Sequence, residues 1–247
     1  MDIRQYLDST YLKTALQAGV TPEENEAIVK GFVNEAIQER FKLIMIRPDM
    51  VAMAKKMIDD AASNVVIGTV IDFPEGESSV ESKLLEARQA IQDGADELDY
   101  VCNYKAFKEG QIDLLKNEVL QGTQMALAHG KKAKWIIEVA ALTDAEIIRL
   151  SVLIKNVVLT NFKEDSYADV FVKSSTGFFK TPNGEPNGAT VPAIVMMLEN
   201  ASPLPVKAAG GVRSYEEAVE MIKLGVKRIG TSSAKAIVDG QVSVNDY

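Results

Sequence analysis

The sequence predicts a single α/β domain of the (β/α)8 barrel (TIM-barrel) class, and three observations lead there. Short apolar runs rich in β-favouring residues alternate with helical patterns along the whole chain, and eight such strand–helix units can be counted. The strand runs are nearly continuous in their apolar character, as expected of a parallel sheet covered on both faces. The length, 247 residues, suits one such barrel, which typically needs about 250.

The elements follow in order. Gln5–Leu12 is a short mixed strand and turn. Thr21-Pro22-Glu23-Glu24 opens a helix with an N-cap, a proline at the first position and a capping-box glutamate. Phe41–Ile46 is the second strand, ended by Arg47-Pro48, and a helix runs from there through Ala61. Val65–Ile71 is the third strand; Asp72–Gly76 is a loop, Ser78 and Glu81 form a second capping box, and Gly94 stops the helix. Glu97–Val101 is the fourth strand, with a helix over Leu114–Ala128. Trp135–Val139 is the fifth, and Thr143 with Glu146 caps the next helix. Asn156–Tyr167 is less regular and reads as an excursion before the sixth strand, Val170–Lys173.

The 176–189 segment carries Gly177, Gly184 and Gly188 with Pro182 and Pro186, and is long enough to act as a lid. A helix from about Val191 leads to the seventh strand at Val206. Ser214 and Glu217 make another capping box, and Gly225 ends that helix. Lys227–Gly230 begins the eighth strand, and Ser232–Val238 is a short last helix. No domain boundary, low-complexity tract or repeat interrupts residues 1–247; residues 239–247 read as a flexible polar tail.

Composition narrows the function classes. A net charge of −8 argues against a non-specific nucleic-acid binder. No apolar run approaches the roughly 20 residues of a membrane span, and the first residues do not read as a signal peptide. Cys102 is the only cysteine, so no intrachain disulfide can form and a cytoplasmic location is expected. His129 is the only histidine and sits before Gly130 at a helix end, where it reads as structural. Zinc sites usually draw on several imidazoles, so a metal-free, cofactor-free route is favoured.

Two segments share one grammar. Val170-Phe171-Val172-Lys173 runs into Ser174-Ser175-Thr176-Gly177, and Val206-Lys207 runs into Ala208-Ala209-Gly210-Gly211. Each reads as a buried strand with a lysine near its C-terminal tip, although a single such lysine would ordinarily snorkel to solvent. Two ammonium groups at neighbouring strand ends would repel and be poorly hydrated, which pushes a lysine pKa down and frees an amine to attack a carbonyl. Schiff-base chemistry needs that amine. Asp99, inside the apolar Glu97–Val101 run, can face the lysines and shuttle protons. Glu138 is a candidate for lining the site, and Asp8 on the first strand is a secondary candidate. Gly210 and Gly211 after the seventh strand, with Gly230, Ser232 and Ser233 after the eighth, occupy the places where such barrels often bind phosphate.

Taken together, these pieces resemble the deoxyribose-phosphate aldolase family along nearly the whole chain. The matching stretches are Gly68–Ile71 with Phe73-Pro74 and Gly76; Gly94–Asp99; Ile136–Glu138; Val172–Gly177; Lys207–Arg213; and Gly230–Ser233. The resemblance implies that Lys173 forms the Schiff base, Lys207 lowers its pKa, and Asp99 works with Lys207 in proton transfer. It places Gly177, Gly210, Gly211, Ser232 and Ser233 around a sugar phosphate, and Thr176 beside Gly177 is a further candidate for that role. It also implies reversible cleavage of 2-deoxy-D-ribose 5-phosphate to D-glyceraldehyde 3-phosphate and acetaldehyde, without a metal. Family members often end in a tyrosine that reaches the site; here that residue is Tyr247, and a terminus without a role is the alternative.

The chain departs from the family at Ser9 (often histidine), Met45 (often cysteine), Asp72 and Glu75 beside Phe73-Pro74, and Val139 (often threonine). With no cysteine at position 45, greater tolerance of aldehydes is expected. Rival readings are an aldolase for another sugar phosphate, a barrel isomerase or synthase sharing only the phosphate loops, and a binding protein without turnover. The expected partners are small molecules, with neither nucleic acid nor membrane; a homo-oligomer is compatible with a sequence that does not specify assembly.

Overall fold

Eight parallel strands, paired in sequence order with the last closing on the first, form a barrel among residues 2–241, which the computed structural model describes. The first half comprises β1 (Leu7–Thr10), α1 (Ala15–Ala18), α2 (Pro22–Glu39), β2 (Leu43–Ile46), α3 (Val51–Asp60), β3 (Val66–Ile71), α4 (Val80–Gln92) and β4 (Glu97–Val101). The second half begins with α5 (Tyr104–Lys108), α6 (Ile112–Ala128), β5 (Lys132–Ile136), α7 (Asp144–Asn161) and β6 (Val170–Lys173). It ends with α8 (Val191–Ala201), β7 (Val206–Ala209), α9 (Tyr215–Leu224), β8 (Arg228–Thr231) and α10 (Ala234–Val238).

Helix starts follow the capping chemistry. Thr21, Thr143 and Ser214 each accept the backbone N–H three residues on, and Glu24, Glu146 and Glu217 answer reciprocally. The expected box at Ser78 is corrected: Ser79 caps α4 by accepting from Ser82 N, while Ser78 turns back to donate to Asp72. The fifth strand lies earlier than expected, ending at Ile136, because Glu138 has φ of +56° and Val139–Ala141 coils into a 3-10 turn. The supposed excursion at 156–167 is largely helix, since α7 continues to Asn161 before a 3-10 segment over Glu164–Asp169. The short helices α1 and α5 had no periodic signal long enough to reveal them.

Every strand is buried on both faces, and the two faces differ in kind. Outward residues such as Leu7, Ile44, Ile67, Leu98, Val172, Val206 and Ile229 join the core shared with the helices. The Tyr100 and Trp135 rings, on residues paired in register, stack at 4.8 Å between centroids, with Trp135 Nε1 donating to Thr123 Oγ1 at 3.0 Å. Gly122 is required beneath them, because a Cβ there would lie 2.6 Å from Trp135. The residues just before the two rings, Asp99 and Lys134, are also register partners, and alternation turns them into the barrel. A packed aromatic pair outside thus fixes an ion pair inside.

Candidate active site

The barrel interior is ionic. Asp8 (β1), Glu97 and Asp99 (β4), Lys134 (β5), Lys173 (β6), Lys207 (β7) and Arg228 (β8) all point inward, and none is more than 4 % exposed. Lys173 and Lys207 are direct register partners on adjacent strands. Both ammonium groups converge on one oxygen: Asp99 Oδ2 lies 2.8 Å from Lys173 Nζ and 2.9 Å from Lys207 Nζ. Lys134 Nζ takes the other oxygen, Oδ1, at 2.6 Å and also lies 2.7 Å from Glu97 Oε2. Lys207 Nζ has a second carboxylate in Asp8 Oδ2, at 2.6 Å. Arg228 completes the chain by donating through Nε to Asp8 at 2.7 Å and through Nη1 to Glu97 at 3.0 Å.

These contacts single out one amine. Among the described residues, Lys134, Lys207 and Arg228 each touch two carboxylates, whereas Lys173 has only the shared Asp99 oxygen. Three carboxylates face four cations, so one proton lost from a cation leaves the buried set neutral. Lys173 carries the lowered pKa, about 8: burial does most, Asp99 opposes it, and Lys207 and Lys134 lower it further. Burial alone would raise the Asp99 carboxyl, but the attraction of Lys134, Lys173 and Lys207 holds it well below the usual range. Glu97 is likewise held at about 2, by Lys134 and Arg228 against its burial.

The mouth above the lysines is a cleft of about 840 Å³. Gly177, Gly210, Gly211, Gly230, Ser232 and Ser233 all line it, so five strand-end glycine and serine positions expected after strands seven and eight share one wall with the β6 loop. Gly230 joins cleft to lysines: a Cβ there would stand 3.2 Å from Lys207 Cε. Gly210 and Gly211 have φ of +85° and +87°, which suits glycine. Ser233 N already donates to Thr231 Oγ1 at 3.0 Å, so that N–H is engaged within its own turn.

Thr176 is buried rather than on the cleft wall, and its hydroxyl contacts Glu138. Glu138 also accepts from Ser175 Oγ at 2.7 Å and from Thr176 N at 3.2 Å, so it braces the loop that follows Lys173. Burial pushes its carboxyl up, while Thr176, Ser175 and Lys173 pull it down. Ser175 Oγ contacts Asn187 O at 2.6 Å, and Asn187 Nδ2 donates to Gly177 O and Phe179 O, folding the 176–189 segment onto itself. Asp8 stands in the ionic core beside Lys207, a closer role than its sequence suggested. Tyr247 lies outside the described residues.

Met45, Leu43, Val70 and Leu12 form a separate apolar cluster, with Phe73 and Phe178 edge-to-face at 5.0 Å against it. Arg47 lies over the Phe73 ring at 4.8 Å and donates to Leu12 O and Phe73 O. His129 caps α6, with Nδ1 2.8 Å from Met125 O. Among the described residues, no group of three or more His, Cys, Asp or Glu side chains is arranged to hold a metal ion, and no helix is long and apolar enough to cross a membrane.

Lys134, Glu97 and Arg228 were missed from sequence. The alternation Glu97-x-Asp99 and Lys132-x-Lys134 in strands otherwise apolar was the available signal, since charges at period two share one face. Lys83 was missed too. Its buried ammonium donates to Gly76 O at 2.9 Å and Val101 O at 2.7 Å and pairs with Glu118, tying the β3 loop to the end of β4.

Comparisons with known proteins agree with this geometry. The family model described as DeoC/LacD family aldolase matches residues 12–240. The deoxyribose-phosphate aldolase of Thermococcus gammatolerans is 40% identical over 97% of this chain and 96% of its own. The solved structure of QR15, an aldolase, superposes with a TM-score of 0.80 at 30% identity, covering 97% of this chain and 95% of that one. The tetrameric deoxyribose phosphate aldolase of Aeropyrum pernix gives a TM-score of 0.78 at 28% identity, over 96% and 90% of the two chains.

Proposed function

Since the chain belongs to the DeoC/LacD family of aldolases, we propose that it is a class I deoxyribose-phosphate aldolase working through a Schiff base on Lys173. It is an aldolase and a lyase. The substrate assigned is open-chain 2-deoxy-D-ribose 5-phosphate, split reversibly into D-glyceraldehyde 3-phosphate and acetaldehyde in the breakdown of deoxynucleosides, in the cytoplasm and without metal or other cofactor. The single observation that carries this reading is the isolated amine: Lys173, pKa about 8, holds one carboxylate oxygen that Lys207 also holds.

The neutral Lys173 amine attacks the aldehyde carbon, and the carbinolamine loses its hydroxyl as water. Lys207, held on Asp99 and Asp8, stands where it can protonate that leaving hydroxyl. The iminium formed is a protonated imine beside Asp99 Oδ2, which stabilises its charge electrostatically. The C3 hydroxyl gives its proton to the Lys207 amine left neutral by the preceding step and the C2–C3 bond breaks; its electron pair passes to the iminium as an enamine, and the aldehyde phosphate leaves. Protonation of the enamine at C2 and hydrolysis release acetaldehyde and restore the amine. Asp99 is too acidic, beside three lysines, to be a strong base by itself. Its part is to hold both amines and pass protons through Lys207. The phosphate is assigned to the cleft of Gly177, Gly210, Gly211, Gly230, Ser232 and Ser233, so that binding energy away from the reacting carbons positions them.

Borohydride reduction in the presence of 2-deoxyribose 5-phosphate, followed by peptide mass spectrometry, tests the assignment. The adduct is expected on Lys173 and absent from Lys173→Leu, which should show no cleavage. An adduct on another lysine, or wild-type turnover in Lys173→Leu, overturns it.

A further inference from the structure

We propose that Lys13 is a substrate-binding residue that supplies a cation to the phosphate end of the cleft and sets the preference for phosphorylated over unphosphorylated aldoses. The inference rests on the aldolase reading above and deepens it. Lys13 lies three residues beyond β1, and β1 is paired with β8, so its loop is next to the one carrying Ser232 and Ser233. Lys13 lines the same cleft as Gly211, Ser232 and Ser233.

The backbone that presents it is fastened on each side. Arg47 Nε donates to Leu12 O at 2.7 Å, and Asn25 Nδ2 approaches Lys13 O at 3.4 Å. Asn25 is itself held by the Tyr11 hydroxyl at 2.7 Å. The next residue, Thr14, begins a reciprocal capping box with Gln17, another residue of the cleft wall. Asn25 of α2 and Arg47, the residue after β2, thus hold two consecutive carbonyls, and the α1 cap holds the position that follows.

The Lys13 side chain has no carboxylate within ion-pair distance among the described residues, so its charge is not neutralised by a neighbour, as also holds for Lys180 on the same wall. The charge of the cleft also runs against that of the chain. The protein carries −8, yet, Arg213 aside, the charged residues of the cleft wall among the described residues are Lys13 and Lys180 against Glu185. A concave wall with surplus positive charge suits a phosphate dianion, and a preorganised lysine contributes to it as a point charge.

The test is steady-state kinetics of Lys13→Met and Lys13→Arg on 2-deoxyribose 5-phosphate and on 2-deoxyribose, with inorganic phosphate as competing ligand. Loss of a charge-assisted contact should raise KM for the phosphorylated substrate about ten- to a hundredfold with kcat little changed. The kcat/KM on 2-deoxyribose should stay at the wild-type value, phosphate inhibition should weaken in parallel, and Lys13→Arg should restore most of the loss. Unchanged KM in Lys13→Met, or an equal loss on both sugars, overturns the role of Lys13. A wild-type protein that cleaves neither sugar and gives no borohydride adduct overturns the underlying aldolase reading instead.

Discussion

Replacing Lys134 with methionine asks whether the charge count inside the barrel sets the reactivity of Lys173. Lys134 Nζ is fully buried, 2.6 Å from Asp99 Oδ1 and 2.7 Å from Glu97 Oε2. Without it, three carboxylates face Lys173, Lys207 and Arg228, and the interior is neutral only when Lys173 keeps its proton. Asp99 then attracts Lys173 with one competitor fewer, and a repulsive neighbour has gone. Both changes push the Lys173 pKa from about 8 back toward 10.5. At about pH 7.5, roughly 24% of an amine of pKa 8 is neutral, against roughly 0.1% at pKa 10.5. Burial, the main cause of the lowered value, persists in the variant, so the roughly 240-fold loss of full reversion is an upper bound, and a rise of about one unit costs about eightfold in the attacking form.

The assay is the pH dependence of kcat/KM and of the borohydride trapping rate, each of which should move to a more alkaline midpoint. Breaking a buried ion pair also destabilises by about 3–5 kcal/mol, so a thermal melt must first show Lys134→Met folded under the assay conditions. Lys134→Arg keeps the charge and should keep the midpoint near 8. A folded Lys134→Met with the wild-type profile would refute the charge-count argument. The wild-type sign has a second consequence. Between about 8 and 10.5 the unfolded chain holds a proton on Lys173 that the folded one has released, so the contribution of this residue to stability improves as the pH rises through that window.

Two further outcomes are expected. In Gly188→Ala the new Cβ would lie 2.4 Å from Gly210 O, a backbone atom, so the 176–189 segment must shift away from the β7 loop; KM for the phosphorylated substrate should rise about tenfold or more, and an unchanged KM would show that this close approach is unimportant. Cys102 is fully buried and its thiol is pushed well up by burial, with Glu118 adding to the effect and Lys83 opposing it; iodoacetamide should label it only after unfolding, and prolonged acetaldehyde should not inactivate through a thiol. Stoichiometric labelling of the native protein would contradict that expectation.

How much was legible in the sequence varies with the range of the physics involved. The barrel class, three capping boxes and the lysines of the sixth and seventh strands were readable because each depends on residues within a few positions of one another. The end of β5 was misplaced because the strand is stopped by the left-handed backbone of Glu138, a non-glycine residue whose unusual φ accompanies hydrogen bonds to Ser175 and Thr176 on the next strand's loop. Nothing local to Glu138 announces that.

The chain order alone determined that Lys173 and Lys207 sit on neighbouring strands; Lys173 ends β6 as expected, whereas Lys207 is the second residue of β7, which continues to Ala209. Only the closed barrel decided what faces them. Asp8, Glu97, Asp99, Lys134 and Arg228 come from strands far apart in sequence, and closure of the sheet brings their charges within ion-pair distance in a space that excludes water. In that setting Coulomb interactions are strong and desolvation is costly, so the charge of one lysine depends on the whole enclosed set.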